Sequence, residues 1–143
     1  MKGETMKHVT AFIHFDGNCR QAMSFYQQCL GAELQLNPYP DAEGKPSSDS
    51  NAKIMHSQLS HGGAPLLMAS DGAPGASHEP GKNFSVSIEC DSLGEIERLF
   101  AAFSQNGQVT LPLGDMPWGA RFGMLTDQFD IQWFFNCTLA RQG

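Results

Sequence analysis

The stretch from Phe12 to Leu34, FIHFDGNCRQAMSFYQQCLGAEL, constrains the fold of this chain more than any other. It reads as a strand, a tight turn and an amphipathic helix in one run. Ala22, Phe25, Tyr26, Cys29 and Leu30 recur at i, i+3, i+4, i+7 and i+8, the stripe of a helix with one buried face. Burying Phe25 on that stripe contributes roughly 1.5–3 kcal/mol. Asn18 stands at the N-cap position and Gln21 follows three residues later, a variant of the capping box. Such a cap is worth ~1 kcal/mol. Gly31 suits the left-handed residue that closes a helix. Ahead of the helix, His8 to Phe15 is rich in β-branched and aromatic residues, and Asp16-Gly17 is turn chemistry.

The unit occurs twice. From Asn83 to Cys90 the chain alternates, with Phe84, Val86, Ile88 and Cys90 on one face and Ser85, Ser87 and Glu89 on the other. Ser92-Leu93-Gly94-Glu95 is a capping box. Ile96, Leu99, Phe100 and Phe103 form a second apolar stripe, which Asn106-Gly107 ends. Setting Asn18 against Ser92 places Ala22 on Ile96, Phe25 on Leu99, Tyr26 on Phe100 and Cys29 on Phe103 without a gap. Self-similarity at this length predicts two halves built alike about a pseudo-twofold axis; shorter periods would predict a solenoid.

The remaining elements complete each half. Glu33 to Leu36 reads as a short strand. Asn37 to Lys53 is rich in Pro, Asp, Ser and Gly, a long loop that is either mobile or a lid, with Tyr39 its one aromatic. Ile54 to His61 and Ala64 to Ser70 are strands joined by a Gly62-Gly63 hairpin turn. Asp71 to Lys82 is the linker between the halves. After the second helix come strands at Gln108 to Leu113, Ala120 to Thr126 and Ile131 to Thr138, with a Gly/Pro-containing stretch over Gly114 to Gly119 and a turn at Asp127 to Asp130. Each half thus reads β-α-β-β-β. The expected fold is α+β in a single domain over residues 1–143, with one module about 7–71 and the other about 82–139.

Composition narrows the class. Of the 143 residues 41% are hydrophobic and 17% charged, enough for a sizeable core. A net charge of −6 with 9 Lys+Arg argues against a nucleic-acid or anionic membrane surface. The start, Met1-Lys2-Gly3-Glu4, leads into no apolar run of a signal peptide, and no stretch is long enough to span a membrane, so a cytoplasmic protein is expected. Cys19, Cys29, Cys90 and Cys137 lack C-x-x-C spacing and read as reduced thiols. Cys19, at the start of the first helix, is the one expected to be reactive.

These stretches resemble a known family. FDGNCRQAMSFYQQCLGAEL (Phe15–Leu34), IMHSQLSHGGAPLLMASD (Ile54–Asp71), NFSVSIECDS (Asn83–Ser92) and MPWGARFGMLTDQFDIQW (Met116–Trp133) are similar, in order and spacing, to the vicinal oxygen chelate superfamily. That superfamily includes glyoxalase I, bleomycin- and fosfomycin-resistance proteins and extradiol dioxygenases. The chain is most similar to its PhnB-like branch, often catalogued as 3-demethylubiquinone methyltransferase-like. One departure is Asp130, where that branch usually has Gly.

The resemblance implies that the two modules pair so that their sheets wrap a central cavity with the helices outside. In metal-using members four ligands enter the cavity, and those positions fall here on Ala11, about Met68, Ser85 and Phe134. None is a His, Glu or Asp, the donors that metals of the glyoxalase and dioxygenase type need. The expectation is therefore no metal and no cofactor. The resemblance also implies a homodimer. The methyltransferase label gets no support, because nothing reads as a Gly-rich βα turn of a Rossmann-type site. No P-loop or nucleophile elbow is present either.

Strand alternation supplies the candidate site residues. Ser85, Ser87 and Glu89 face inward if Phe84, Val86 and Ile88 pack under the helix, and Gln132, Phe134 and Asn136 do so on the last strand. Glu89, if dry, could act as a base; a solvated or hydrogen-bonded Glu89 is the alternative. His56 and Gln58 share a face, and His56 is the His best placed for ligand contact or general-base work. His14, of opposite parity to Ala11, is expected near the helix start. His61 and His78 fall in turns or loops. Trp118 beside Arg121 could hold a flat or anionic ligand, or could close the core or an interface, and Tyr39 has the same two readings.

Three functions are compatible with this pattern. The first is metal-free binding of a small, partly aromatic ligand in the cavity. The second is a metal-dependent lyase, isomerase or dioxygenase with atypical ligands such as His56 and Glu89. The third is an interaction module with a vestigial cavity. Whether the chain is an enzyme, and which ligand it takes, the residues do not say.

Overall fold

A computed structural model describes residues 8–73 and 75–139. The reading of Met1 to Glu4, and the first residue of the expected first module, lie outside the described residues. The chain divides between Glu79 and Pro80 into two compact units. The first holds β1 (Phe12–Phe15), α1 (Cys19–Leu30), β2 (Glu33–Pro38), β3 (Ile54–His61) and β4 (Ala64–Asp71). The second holds β5 (Val86–Glu89), α2 (Leu93–Phe103), β6 (Gln108–Met116), β7 (Ala120–Thr126) and β8 (Gln132–Thr138). Their sheets have the orders β1-β4-β3-β2 and β5-β8-β7-β6. In each, the first strand runs parallel to the last and the other pairs are antiparallel. The fold is α+β, two β-α-β-β-β modules, as expected.

Alternation decides which sheet face each helix covers. On β8, Trp133, Phe135 and Cys137 are buried while Gln132, Phe134 and Asn136 are half-buried. Ile96, Leu99, Phe100 and Phe103 are the buried face of α2. The Phe103 ring lies 4.7 Å from Trp133 and 5.4 Å from Phe135, with Phe100 5.3 Å from Phe135. Tilted and edge-on pairs of this kind add about 0.5–1.5 kcal/mol each beyond their buried area.

In the first unit the helix is rotated from the expected stripe. Its buried residues are Cys19, Ala22, Met23, Tyr26 and Cys29. Phe25 is only half-buried, edge-on to Tyr26 at 5.9 Å. The expected Asn18 cap is also corrected, because the Asn18 side chain makes no capping bond. Asp71 takes that role from the end of the neighbouring strand β4, beside Phe15. Its Oδ1 accepts the N–H groups of Gly17 (2.8 Å) and Cys19 (3.0 Å), and its Oδ2 accepts that of Ile54 (2.8 Å). Asp71 is 2% exposed and ends β4, so it is no linker residue. The Ser92 cap is as expected, its Oγ accepting the Glu95 N–H at 3.1 Å. The Glu95 carboxylate reaches back to the N–H of Asp91, one residue earlier than in the usual box. Gly31 closes α1 at φ 62°.

Some boundaries move. β1 starts at Phe12 instead of His8, β5 at Val86 instead of Asn83, and β6 continues through Gly114 to Met116 with two register irregularities. Pro112 is tolerated there because β6 is an edge strand. The long loop is pinned at its base by the Tyr39 N–H to Lys53 carbonyl bond (2.9 Å) and a Pro40–Pro46 bridge. At the 127–130 turn, Asp127 accepts the N–H groups of Phe129 and Ile131 and Trp133 Nε1. Asp130 has φ 67°, the left-handed conformation for which Gly is the natural residue.

The repeat is out of phase in its strands. With the helices aligned, Ile13 and Phe15 fall on Ser87 and Glu89, yet the first pair is buried and the second exposed. Val86, Ile88 and Cys90 are the residues of β5's parity that turn to the helix. The slip is taken up between strand and helix, where the first unit uses Gly17 at φ 93° and the second an extended Ser92. Ala11 and Ser85, set together by the repeat, therefore have opposite parity relative to their helices.

Candidate functional site: the helix-free sheet faces

Each sheet has one face under its helix and one without. On the first sheet the helix-free face carries Phe12 and His14 from β1, Met68 from β4, and His56 and Gln58 from β3. Phe12 pairs with Met68, and Met68 with Gln58, across neighbouring strands. The Phe12 ring lies 5.1 Å from His14 and 5.9 Å from His56. His56 and Gln58 thus share a face as expected, but His14 joins them instead of packing at the helix start. The burial of Ile13 and Phe15 under α1 fixes that parity and leaves Ala11 on the helix side.

On the second sheet the helix-free face carries Ser87 and Glu89 from β5, Gln132, Phe134 and Asn136 from β8, and Phe122 and Met124 from β7. Glu89, Asn136 and Phe122 are successive neighbours across three strands. Asn136 Nδ2 donates to both carboxylate oxygens of Glu89, at 3.1 and 3.0 Å. Glu89 is exposed, not dry, and so corresponds to the hydrogen-bonded, solvated alternative. Trp118, 65% exposed on the β6–β7 turn, stands edge-on to Phe122 at 5.9 Å, and Phe122 edge-on to Phe134 at 5.5 Å. The three rings make a continuous aromatic row. Gln132 Nε2 donates to the Phe84 carbonyl at 3.1 Å, and Ser85 is half-buried just before β5.

Arg121 does not share this face with Trp118. Its guanidinium turns to the helix side, 2.8 Å from both Glu97 of α2 and Asp115 of β6. Those carboxylates hold its pKa above the ordinary arginine value, chiefly through the Asp115 hydrogen bond. It is committed to them and is no anion receptor for Trp118. Tyr39 donates its O–H to the Asp71 carbonyl at 3.2 Å, which ties it into the frame of the first unit.

Cys19 is corrected too. It is 0% exposed with Sγ 3.5 Å from Ser57 Oγ. Burial pushes its thiol up to about 11; the Ser57 contact works against that shift and Asp71 adds to it. Buried and protonated, it is not the reactive thiol that a helix start suggests. Sequence reasoning missed Phe12, Phe122 and Asp71. The first two could have been found by counting alternation from the bulkiest apolar residues of each strand. Asp71 had no local signal.

Residues 5–135 match the Glyoxalase/Bleomycin resistance protein/Dioxygenase superfamily, and the chain belongs to it. Protein PA1353 of Pseudomonas aeruginosa is 40% identical and superposes with a TM-score of 0.76, covering 93% of this chain and 100% of that one. YjdN of Escherichia coli K12 is 26% identical over 139 residues, 90% of this chain and 93% of YjdN. Structural neighbours of this chain include PhnB-like proteins: the PhnB protein of Bacillus cereus superposes with a TM-score of 0.74 at 22% identity, over 92% of this chain and 100% of that one.

The residues at the positions where the resemblance places metal ligands do not fit the metal of glyoxalase-type members. Ala11, Met68, Ser85 and Phe134 offer no imidazole or carboxylate, and replacing Ala11 by the correctly oriented Phe12 adds none. Among the described residues no three His, Cys, Asp or Glu side chains are grouped as a metal site. Among them, too, no helix is long and apolar enough to cross a membrane.

Proposed function

We propose that this protein binds a small, partly aromatic molecule without the help of a metal ion, and that the helix-free face of the second sheet receives it. The observation that carries the reading is the aromatic row Trp118–Phe122–Phe134, bordered by the polar pair Glu89–Asn136. Apolar rings with a few convergent polar groups are the usual make-up of a small-molecule site. Superfamily membership supports it, since the fold hosts ligand-binding proteins as well as enzymes. Nothing in the row is a nucleophile or a group poised for proton transfer, so binding is the reading with the most support.

Trp118 supplies the assay. It stands in the row and is largely exposed, so a ring stacking there changes its emission. Titrating planar aromatic compounds into the full chain gives saturable emission changes that Trp118→Phe diminishes and Phe134→Ala weakens. Elemental analysis of protein purified without chelator gives sub-stoichiometric zinc and nickel. A full equivalent of either metal, or no aromatic ligand in the titrations, overturns the proposal.

A further inference from the structure

We propose that the ligand of this face is a planar organic cation with N–H donors, chosen by Glu89; the inference rests on the reading above and specifies it. On β5, β7 and β8 the helix-free face carries Ser87, Glu89, Ala120, Phe122, Met124, Thr126 and the even-numbered residues of β8. Glu89 is the one charged side chain among them. Basic residues are absent from this face of those strands, and Arg121 is turned away and paired. An anion placed on the aromatic row would meet a carboxylate without a compensating cation. A cation would meet both a carboxylate and the negative faces of the rings.

The polar groups are also sorted by hydrogen-bonding sense. Glu89 accepts only, and Asn136 Nδ2 is shared between its two oxygens, which orients the carboxylate and leaves further lone pairs open. Gln132 has one of its donors spent on Phe84. What Glu89 asks of a ligand is therefore donors, and charge-assisted ones give the stronger bond. Spacing fits a flat molecule. Glu89 and Phe122 are two strands apart, about 10 Å from Cα to Cα. Two or three fused rings bearing an amino or amidino group span that distance, with the charge at Glu89 and the rings on Phe122 and Trp118. The chain's net charge of −6 draws cations toward it as well.

The test uses a matched set of probes in slightly alkaline buffer: the 9-aminoacridinium cation, neutral acridine, and the acridine-9-carboxylate anion. Fluorescence titration of the full chain is expected to rank them cation, neutral, anion, with the cation about tenfold tighter than the neutral ring. Glu89→Gln keeps the side chain's size and its contact with Asn136, and is expected to remove most of the cation's advantage over the neutral probe. Added salt narrows the gap more in the parent than in Glu89→Gln. Trp118→Ala, at an exposed position, weakens cation and neutral alike. Equal binding of cation and neutral ring by the parent refutes the charge preference and leaves the aromatic reading standing. A preference that Glu89→Gln leaves undiminished refutes the assignment to Glu89. Failure of all three probes refutes both proposals.

Discussion

Replacing Asp71 by Ala is the sharpest test of how the first unit is held together. The carboxylate takes three backbone N–H groups that belong to three separate places: the turn at Gly17, the first residue of α1 at Cys19, and the first residue of β3 at Ile54. Each bond to a charged acceptor is worth about 1.5–3 kcal/mol, and a buried donor left unmade costs about 1–3 kcal/mol. The three are not additive, because the turn relaxes once released, so a loss of about 3–5 kcal/mol is expected for Asp71→Ala. That is a large part of a typical stability of about 5–15 kcal/mol. Asp71→Asn keeps two acceptor lone pairs on Oδ1 but sets an NH2 group against the Ile54 N–H, so it loses about 1.5–3 kcal/mol. Asn18→Ala is the control. Asn18 occupies the N-cap position without capping, so its loss stays within about 0.5 kcal/mol instead of the usual ~1. Urea unfolding followed by far-UV circular dichroism measures all three. If Asn18→Ala costs as much as Asp71→Ala, the helix is capped locally and the assignment to Asp71 is wrong.

Three further outcomes follow from single features. Asp130→Gly places Gly where φ is 67°, and thermal unfolding is expected to show a gain of about 0.5–1 kcal/mol; a loss would mean that the Asp130 side chain stabilises the turn by more than the backbone strain costs. The Cys19 thiol is raised from 9.0 to about 11, so the folded state holds its proton more tightly than the unfolded state does. The resulting stability is complete below about 9 and is lost as pH rises to about 11, a change of about 2–3 kcal/mol. Unfolding curves of the parent should fall across that window more steeply than those of Cys19→Ala, and identical slopes would refute the shift. We also propose a homodimer, on the ground that each sheet ends in an edge strand, β2 or β6, with backbone groups unpaired within its own sheet. Light scattering then returns twice 15.6 kDa, and a monomer at micromolar concentration refutes it.

What was legible in the residues was what short-range periodicity determines. The stripe Ile96–Leu99–Phe100–Phe103, the Ser92 cap and the alternation of β8 each need only a few neighbours to be read, and all stand in the structure. What was not legible depends on partners distant in sequence. Asp71 caps a helix that begins 52 residues earlier. The rotation of α1 that buries Met23 and releases Phe25 is set by the sheet beneath it. The Trp118–Arg121 pairing failed because β7 alternates: Arg121 is drawn to Glu97 on α2, so Phe122 and not Arg121 shares Trp118's face.

The strand phase has the widest consequence for the site. A helix repeat fixes the spacing of helices, but a one-residue slip in a strand exchanges its two faces. With the slip between β1 and β5, residues matched by the repeat cannot serve the same role in both units. His14 faces away from its helix while Ile88, its match, turns toward the other. The helix-side faces still resemble each other, because both must bury apolar bulk. The helix-free faces are under no such demand, and they differ: two imidazoles about Phe12 on the first, and three rings beside a carboxylate on the second. A ligand site on this chain is therefore better derived for each sheet from its own burial pattern than carried from one module to the other by symmetry.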